Sequence, residues 1–215
     1  MKSHGNIHKM FIDGQWVSAS NGTFFVHRSI VDPFVEEFKT RVSRMRAGSG
    51  FEDGVSIGPL VDSAALQKVE QQVSNALDNG AILVCGGRRL LDDNLDKGYF
   101  YAPTVLIDVT PEMLIYREET FGPVAPIITF DTEEEVLTMA NDTHYGLAAY
   151  VYTHNLSRAM RMFEGLRFGI IGINDINPTA AAAPFGGMKE SGMGRESGRD
   201  GIAEYLETKL GGFSV

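Results

Sequence analysis

The one thiol of this chain is the first candidate for nucleophilic chemistry. Cys85 is the only cysteine among the 215 residues and follows the apolar run Ala-Ile-Leu-Val. Strand alternation there favours a small buried side chain, and burial disfavours the reactive thiolate. The sequence therefore predicts no catalytic residue.

The histidines and glycines do not form a metal site or a phosphate site. His4 and His8 have i, i+4 spacing but lie in a polar tail, and His27, His144 and His154 are isolated along the chain. No Gly-x-Gly-x-x-Gly motif follows a strand-like segment, and there is no P-loop. We therefore expect no metal site and no dinucleotide-binding motif in these residues.

Composition and charge argue against several classes of partner and against secretion. The formal net charge is −9, from 28 acidic and 19 basic residues, and 43% of the residues are hydrophobic. An acidic chain is repelled by nucleic acid and by anionic membranes, so neither is an expected partner. A single cysteine permits no intrachain disulfide, and the polar first ten residues resemble no signal peptide. These features predict a protein of the cytoplasm without membrane spans.

The elements that must position any site alternate between helical and strand-like patterns. Strands that alternate with short helices predict an α/β fold with a mainly parallel sheet flanked by helices. The predicted helices span residues 29–46 and 62–80, with two more after 131–132 and after 155; the predicted strands span residues 81–85, 99–107, 124–130, 147–152 and 169–173.

The last forty or so residues differ from the rest of the chain in composition and lack its alternating helical and strand-like patterns. Residues 174–201 are rich in Gly, Ala, Pro and Ser. Such a long loop in a compact domain is usually functional or part of an interface. Residues 205–210 read as a final strand.

Several motifs resemble the aldehyde dehydrogenase superfamily, and within it the succinate-semialdehyde dehydrogenases. Their order and spacing match the family's catalytic domain from Phe25 to the end, about nine-tenths of the chain. They are FVHRSI at residues 25–30, DPF at 32–34, IGPL at 57–60, EETFGP at 118–123 and PFGGMKESGMGRE at 184–196.

The resemblance implies roles for three residues. In such enzymes the second glutamate of the EETFGP motif binds the nicotinamide ribose hydroxyls, and the phenylalanine supports the ring; these are Glu119 and Phe121. A carboxylate can accept two hydrogen bonds from a diol, which suits that role. The PFGG segment resembles the loop that lines the family's substrate tunnel, with Phe185 as an aromatic wall. NAD(P) is the cofactor that the family implies.

The resemblance also shows what these residues lack. Family enzymes carry a dinucleotide-binding domain, a glutamate base in Glu-Leu-Gly-Gly and a nucleophile in Gly-Gln-x-Cys. Neither motif occurs here, although GQWV at residues 14–17 mimics the second. Counting from that motif places Val17 at the nucleophile position, and counting back from FVH places Ser18 there. A serine hydroxyl needs a positioned base to attack, and no histidine or carboxylate near Ser18 forms a recognisable dyad with it. Residues 10–24 resemble the family's N-terminal strand, so an internal deletion is the simplest interpretation.

Three hypotheses follow. The chain is an aldehyde dehydrogenase fragment that binds no cofactor strongly and is inactive alone; or it is half of a split NAD(P)-dependent enzyme, completed by a second subunit; or it is a non-catalytic oligomerising or binding module. The expected organisation is an N-terminal remnant over residues 1–24, a catalytic-like domain over 25–203 and a C-terminal oligomerisation strand over 204–215. Because family enzymes are oligomers, we expect a homo-oligomer joined through that strand.

Overall fold

A computed structural model describes residues 22–92 and 94–214, together with the backbone of residues 16–18. Its elements are strands and α-helices of modest length. The strands are β1 (Trp16–Ser18), β2 (Phe24–His27), β3 (Ile82–Cys85), β4 (Thr104–Ile107), β5 (Val124–Phe130), β6 (Ala148–Tyr152) and β7 (Ile170–Ile173). The helices are α1 (Val31–Val42), α2 (Ser63–Asp78), α3 (Leu114–Arg117), α4 (Glu133–Asn141), α5 (Leu156–Gly165) and α6 (Gly198–Ala203).

The strands form one seven-stranded sheet in the order β3-β4-β5-β2-β1-β6-β7. Strand β5 is parallel to β4 and β2, and β6 is parallel to β7. Strand β1 runs antiparallel to both β2 and β6, so β2 and β6 share one direction. Five strands are therefore mutually parallel, which confirms the predicted mainly parallel α/β sheet; β1 and β3 run the other way.

Alternation along the strands buries the sheet on both faces, because successive side chains point to opposite sides. Phe25 and Ile128 pack on one face with the apolar sides of α2, α4 and α5. Val26 and Ile127, their sequence neighbours, pack on the other face with α1. Helices on both faces of a parallel sheet explain why its central strands are almost wholly apolar.

Local signals placed the longer helices correctly. Asp62 accepts a hydrogen bond from the Ala65 N–H at 2.8 Å and begins α2, and Asn155 accepts one from the Arg158 N–H at 3.0 Å and begins α5. Thr132 caps α4 in the same manner. These side chains satisfy backbone donors that the first turn of a helix leaves free.

The C-terminal segment differs from the prediction. No strand forms over residues 205–210 of the single chain; α6 is followed by irregular backbone with exposed side chains at Tyr205, Leu206 and Leu210. A strand requires pairing with a neighbouring strand, and this segment pairs with none in the part of the chain that the structure describes. Within the described ranges, no helix has the length and apolar character needed to cross a membrane.

Candidate functional site

Helix α2 holds the EETFGP segment, which lies between α3 and β5. The Asn75 side-chain oxygen accepts a hydrogen bond from the Leu114 N–H at 2.9 Å and so fixes the start of α3. The buried Gln72 donates from its Nε2 to Glu118 Oε2 at 3.3 Å. A Cβ on Gly122 would lie 2.7 Å from Val69 Cγ2, so only glycine allows this close approach to α2.

This anchoring presents Glu119 and Phe121 outward. Glu119 is half-buried, whereas Phe121 is 84% exposed and has a φ of +47°. A positive φ is uncommon for an aromatic residue and is a form of strain that accumulates at functional sites. Between them, the buried Thr120 hydroxyl has no hydrogen-bond partner in the described part of the chain.

Phe185 lies in the second candidate segment and pairs with a residue that the sequence did not suggest. Its N–H donates to the Glu196 carbonyl, and the Glu196 N–H donates to the Phe185 carbonyl, each at 2.7 Å. The two residues form an isolated antiparallel bridge. Directly opposed residues of such a pair place their side chains on the same face, so the Phe185 and Glu196 side chains leave the two backbones on one side.

Backbone contacts hold this loop against the starts of β6 and β7. A Cβ on Gly169 would lie 1.9 Å from the Gly186 carbonyl oxygen, so the two backbones touch directly. The Met188 N–H donates to the Gly146 carbonyl at 2.9 Å. Main-chain contacts therefore hold the loop directly against these two strands.

Lys189 adds a clamp to the same loop. Its Nζ donates to the carbonyl oxygens of Asn141 at 3.2 Å and Thr143 at 3.1 Å, at the C-terminal end of α4. It also lies 5.2 Å from the centre of the Phe168 ring. Burial, followed by the charge of Arg167, lowers the pKa of Lys189. A cation at a helix C-terminus is favourable, so this contact ties the loop to α4.

The loop forms part of the wall of an open pocket of about 540 Å³ beside β7. Small and apolar residues dominate its lining, and Glu196 is the only ionisable residue in it. The lining residues are Gly169, Ile170, Ile171, Pro178, Thr179, Ala180, Ala181, Ala183, Pro184, Phe185, Glu196 and Ser197.

The two segments lie at the same end of the parallel strands, but next to different strands. The EETFGP segment leads into β5, and the loop packs against the residues before β6 and β7, all strands of one direction. Strands β2, β1 and β6 separate β5 from β7. At about 4.8 Å per strand, this separation is roughly 19 Å across the sheet.

The only cysteine is far from the pocket. Cys85 ends β3, the strand at the opposite end of the sheet from β7. Six strand spacings of about 4.8 Å place it roughly 29 Å away. The sequence predicted a buried side chain, but Cys85 is only half-buried because β3 is an end strand with one open side. Burial is nevertheless the main cause that raises the pKa of its thiol.

The remaining candidates add no further chemistry. Backbone pairing places Ser18 in β1, opposite Phe24 and Tyr150. His4 and His8 lie outside the described residues. Among the described residues, no group of three or more His, Cys, Asp or Glu side chains could hold a metal ion.

Glu196 is the residue that sequence reasoning missed. It lines the pocket and lies in a segment rich in Gly, Ala, Pro and Ser. A charged residue in such a segment is only a weak indication of a functional role. Its partner in the bridge, Phe185, is eleven positions earlier. No helical or strand periodicity relates two residues at that separation within a loop, so the pairing required the structure.

The residues present fit only part of a nicotinamide dinucleotide. The half-buried carboxylate of Glu119 and the exposed ring of Phe121 suit a ribose diol and a planar ring. A pyrophosphate is typically held by a glycine-rich turn between a strand and a helix N-terminus. The sequence contains no such fingerprint, so the fit extends to the nicotinamide ribose and no further.

The aldehyde dehydrogenase family model matches residues 7–210 of this chain. The chain belongs to the aldehyde dehydrogenase family. It is similar to the non-phosphorylating aspartate-semialdehyde dehydrogenase of Halomonas elongata, with 46% identity over 91% of this chain and 39% of that relative. It is similar also to the NADP(+)-dependent succinate-semialdehyde dehydrogenase GabD of Escherichia coli K12, with 45% identity over 86% of this chain and 38% of GabD.

Solved aldehyde dehydrogenases share the fold. The structure of an aldehyde dehydrogenase from Brucella melitensis biovar abortus 2308 has a TM-score of 0.82 and 46% identity, covering 87% of this chain and 38% of that one. The betaine aldehyde dehydrogenase of Staphylococcus aureus in complex with NAD+ has a TM-score of 0.83 and 38% identity, covering 89% and 38%. The chain thus spans about two-fifths of the length of the aldehyde dehydrogenases that it matches.

Proposed function

We propose that this chain is a succinate-semialdehyde dehydrogenase-like fragment that does not oxidise aldehydes unaided. It retains the segments that carry Glu119, Phe121 and Phe185, which we assign to the nicotinamide and to the aldehyde-facing wall. It acts in the cytoplasm as part of a larger assembly. Semialdehydes are the first substrates to test, because GabD and the Halomonas elongata relative are named for them.

The position of Cys85 carries this proposal. A thiolate must reach the aldehyde carbonyl to form a thiohemiacetal, which requires reacting atoms about 3–3.5 Å apart. The distance across the sheet from β3 to the loop that carries Phe185 is nearly tenfold greater, and burial raises the pKa of the Cys85 thiol, which disfavours the nucleophilic thiolate. No other cysteine exists in the sequence to take its place.

The same reasoning predicts weak binding of NAD(P). Glu119 and Phe121 supply contacts for one end of the dinucleotide only, so the pyrophosphate and adenine stay in water. We expect the purified chain to bind NAD and NADP far more weakly than a complete enzyme such as GabD does. Micromolar affinity in calorimetry would contradict this.

The test of inactivity is formation of reduced cofactor by the purified, folded chain. Succinic semialdehyde and a panel of small aldehydes are supplied with NAD or NADP, and GabD is assayed in parallel. We expect no turnover by the chain, with circular dichroism confirming that it is folded. Turnover that disappears in Cys85→Ser would refute the proposal and would make Cys85 the nucleophile.

Completion in trans is the second candidate, favoured by the exposure of Phe121 and Met193 at 84% and 90%. Large apolar side chains so exposed are typical of surfaces that a partner covers. The test mixes the chain with a GabD fragment comprising the part of GabD that this chain does not match. Turnover by the mixture, and by neither component alone, would establish that the chain can serve as half of an enzyme.

If the mixture is silent, the third candidate gains support, a non-catalytic oligomerising or binding module. A fragment of the same length from GabD itself is the matched positive control, because it must complement if the two halves can associate at all.

A further inference from the structure

We propose that residues 7–12 of this chain dock on an exposed apolar face of α5. This surface, called here the α5 outer face, consists of Leu156, Met160 and Phe163. The contact is separate from the proposed function, because it involves neither the EETFGP segment nor the pocket beside β7.

The α5 outer face is apolar although it remains exposed in the described part of the chain. Leu156 is exposed by 77%, Met160 by 50% and Phe163 by 53%. Their i, i+4, i+7 spacing places them on one side of the helix, while Ala159 and Met162 supply its buried side. A surface helix normally carries polar residues outward, so this contiguous stripe indicates a surface that another segment covers.

The residues that precede β1 approach the fold beside this face. Strand β1 begins at Trp16, which lies opposite Tyr152, the last residue of β6. Helix α5 begins at Leu156, four residues after Tyr152. Four residues span at most about 14 Å of extended chain, and Ile12 precedes Trp16 by the same number of residues. Ile12 is therefore within reach of the start of α5.

Residues 7–12 lie outside the described residues, but their sequence has the side chains that such a contact needs. Four of these six residues are large and apolar, namely Ile7, Met10, Phe11 and Ile12, and they follow a polar stretch over residues 2–6. Burial of apolar side chains from both partners is the driving force for the contact. Docking removes two apolar surfaces from water at once.

Two features favour this segment over a second copy of the chain as the occupant. The link to β1 makes docking intramolecular, and a short linker gives an effective concentration in the millimolar range. Residues 1–12 carry Lys2 and Lys9 and no acidic residue, whereas the whole chain has a net charge of −9. Two acidic copies repel each other, while a basic segment is attracted to the acidic fold.

Disulfide trapping in the full chain tests the contact without altering its apolar residues. Cys85→Ser removes the native thiol, and Lys9→Cys is combined with Ser157→Cys, at the exposed second residue of α5. The control combines Lys9→Cys with Asp32→Cys, at the exposed second residue of α1.

The control is matched in distance and differs in the face of the sheet. Helix α1 also begins four residues after a strand that pairs with β1, but it packs on the opposite face. With oxidised glutathione as the oxidant, we expect the α5 pair to form its intramolecular disulfide about tenfold faster than the α1 pair.

A charge on the α5 outer face should abolish this difference. Phe163→Glu, added to the trapping chain, should slow the α5 pair to the rate of the α1 pair, because docking would bury the new carboxylate. Phe51→Glu is the matched control, since Phe51 is a fully exposed ring in the loop after α1, and it should leave the trapping rate unchanged.

Methionine methyl NMR of the unsubstituted chain provides an independent measurement. Deleting residues 2–12 should shift the resonance of Met160 and leave that of Met193 in place, because Met193 is 90% exposed in the loop before α6. Equal trapping rates for the two pairs would overturn the proposal, as would a Met160 resonance that the deletion does not move. Disulfide-linked dimers as the main product would also overturn it and would assign the α5 outer face to a second copy.

Discussion

Phe121 has a backbone conformation that is unfavourable for an aromatic residue. Its φ of +47° lies in the left-handed region, while its ring is 84% exposed and gains little from burial. Holding a non-glycine residue in that region costs about 1–3 kcal/mol of folding free energy. The conformation that exposes this ring therefore lowers the stability of the fold. The strain is understandable if the ring serves a bound planar group, as proposed above.

Replacing Phe121 should therefore stabilise the isolated chain. Asparagine tolerates the left-handed region, so we expect Phe121→Asn to raise the free energy of unfolding by about 0.5–1 kcal/mol. Urea denaturation monitored by circular dichroism measures the change. Phe34→Asn is the contrasting variant, because Phe34 is fully buried and its replacement should destabilise strongly. A loss of stability in Phe121→Asn would mean that the ring makes contacts of its own.

At the scale of elements, the contact between the start of β7 and the loop is the most restrictive. Gly169 faces the Gly186 carbonyl, and a backbone oxygen cannot move aside as a side-chain end can. We expect Gly169→Ala to lower the free energy of unfolding by about 1–3 kcal/mol, as overpacking does. It should also perturb the Phe185–Glu196 bridge that depends on this docking.

Gly50→Ala is the control for that variant. A Cβ at Gly50 meets nothing within 4 Å, and its φ is not in the left-handed region, so stability should change little. Denaturation curves of both variants, with the alanine methyl spectrum of the loop, provide the measurement. Equal stability of the two variants would show that the loop can withdraw from β7 without cost.

Helices and strands that are marked by a capping residue or a regular apolar pattern could be predicted from the sequence. Elements that depend on contacts between residues distant in sequence could not. Helix α5 was predicted because Asn155 caps it and its apolar stripe is regular. Helix α3 was missed because four residues are too short to show a helical period, and its start is fixed by Asn75, 39 positions away. The predicted strand at residues 205–210 was wrong for the single chain, because sequence alternation alone supplies no hydrogen-bond partners.

The candidate site shows the same division. Glu119, Phe121 and Phe185 became candidates because the motifs that contain them resemble the family's, and their roles remain predictions. The Phe185–Glu196 bridge and the Gly169–Gly186 contact could not be predicted from the sequence. Each brings together two residues that no helical or strand periodicity relates. Sequence could likewise not reveal that Cys85 and the Phe185 loop are at opposite ends of the sheet, which depends on strand order.

For the whole molecule, two buried phenols make stability depend on alkaline pH. Burial, followed by the charge of Glu70, raises the pKa of Tyr101 to about 12; burial, followed by the charge of Asp142, does the same for Tyr116. An unfolded tyrosine has a pKa of about 10. The folded state thus binds these protons more tightly, and the resulting stability is complete below pH 10 and is lost between about pH 10 and pH 12.

We expect each tyrosine to cost roughly 1 kcal/mol of stability between about pH 9 and pH 11. Tyr101→Phe should remove the part of this stability loss that is due to Tyr101, about half of the total. Tyr205→Phe, at an exposed position, should leave the loss of stability unchanged. Urea denaturation at the two pH values measures the difference. Identical pH dependence in the two variants would contradict a buried, protonated Tyr101.

The C-terminal segment bears on how whole chains associate. Leu206 and Leu210 alternate with Glu207 and Lys209, so a strand here would have an apolar face and a charged face. Its side chains are exposed in the single chain, Leu206 at 70% and Leu210 at 98%. The sheet meanwhile ends in β3 and β7, and end strands readily pair with another chain.

We therefore expect this segment to become a strand only when a second copy supplies the partner, giving a homo-oligomer. Deleting residues 205–215 should lower the mass measured by light scattering to that of a single chain. Leu206→Asp should do the same, because it puts a charge on the apolar face, whereas Glu207→Gln on the opposite face should leave the mass unchanged. An unaltered mass after the deletion would show that the copies associate elsewhere or not at all, and the exposed apolar side chains would then point to a different partner.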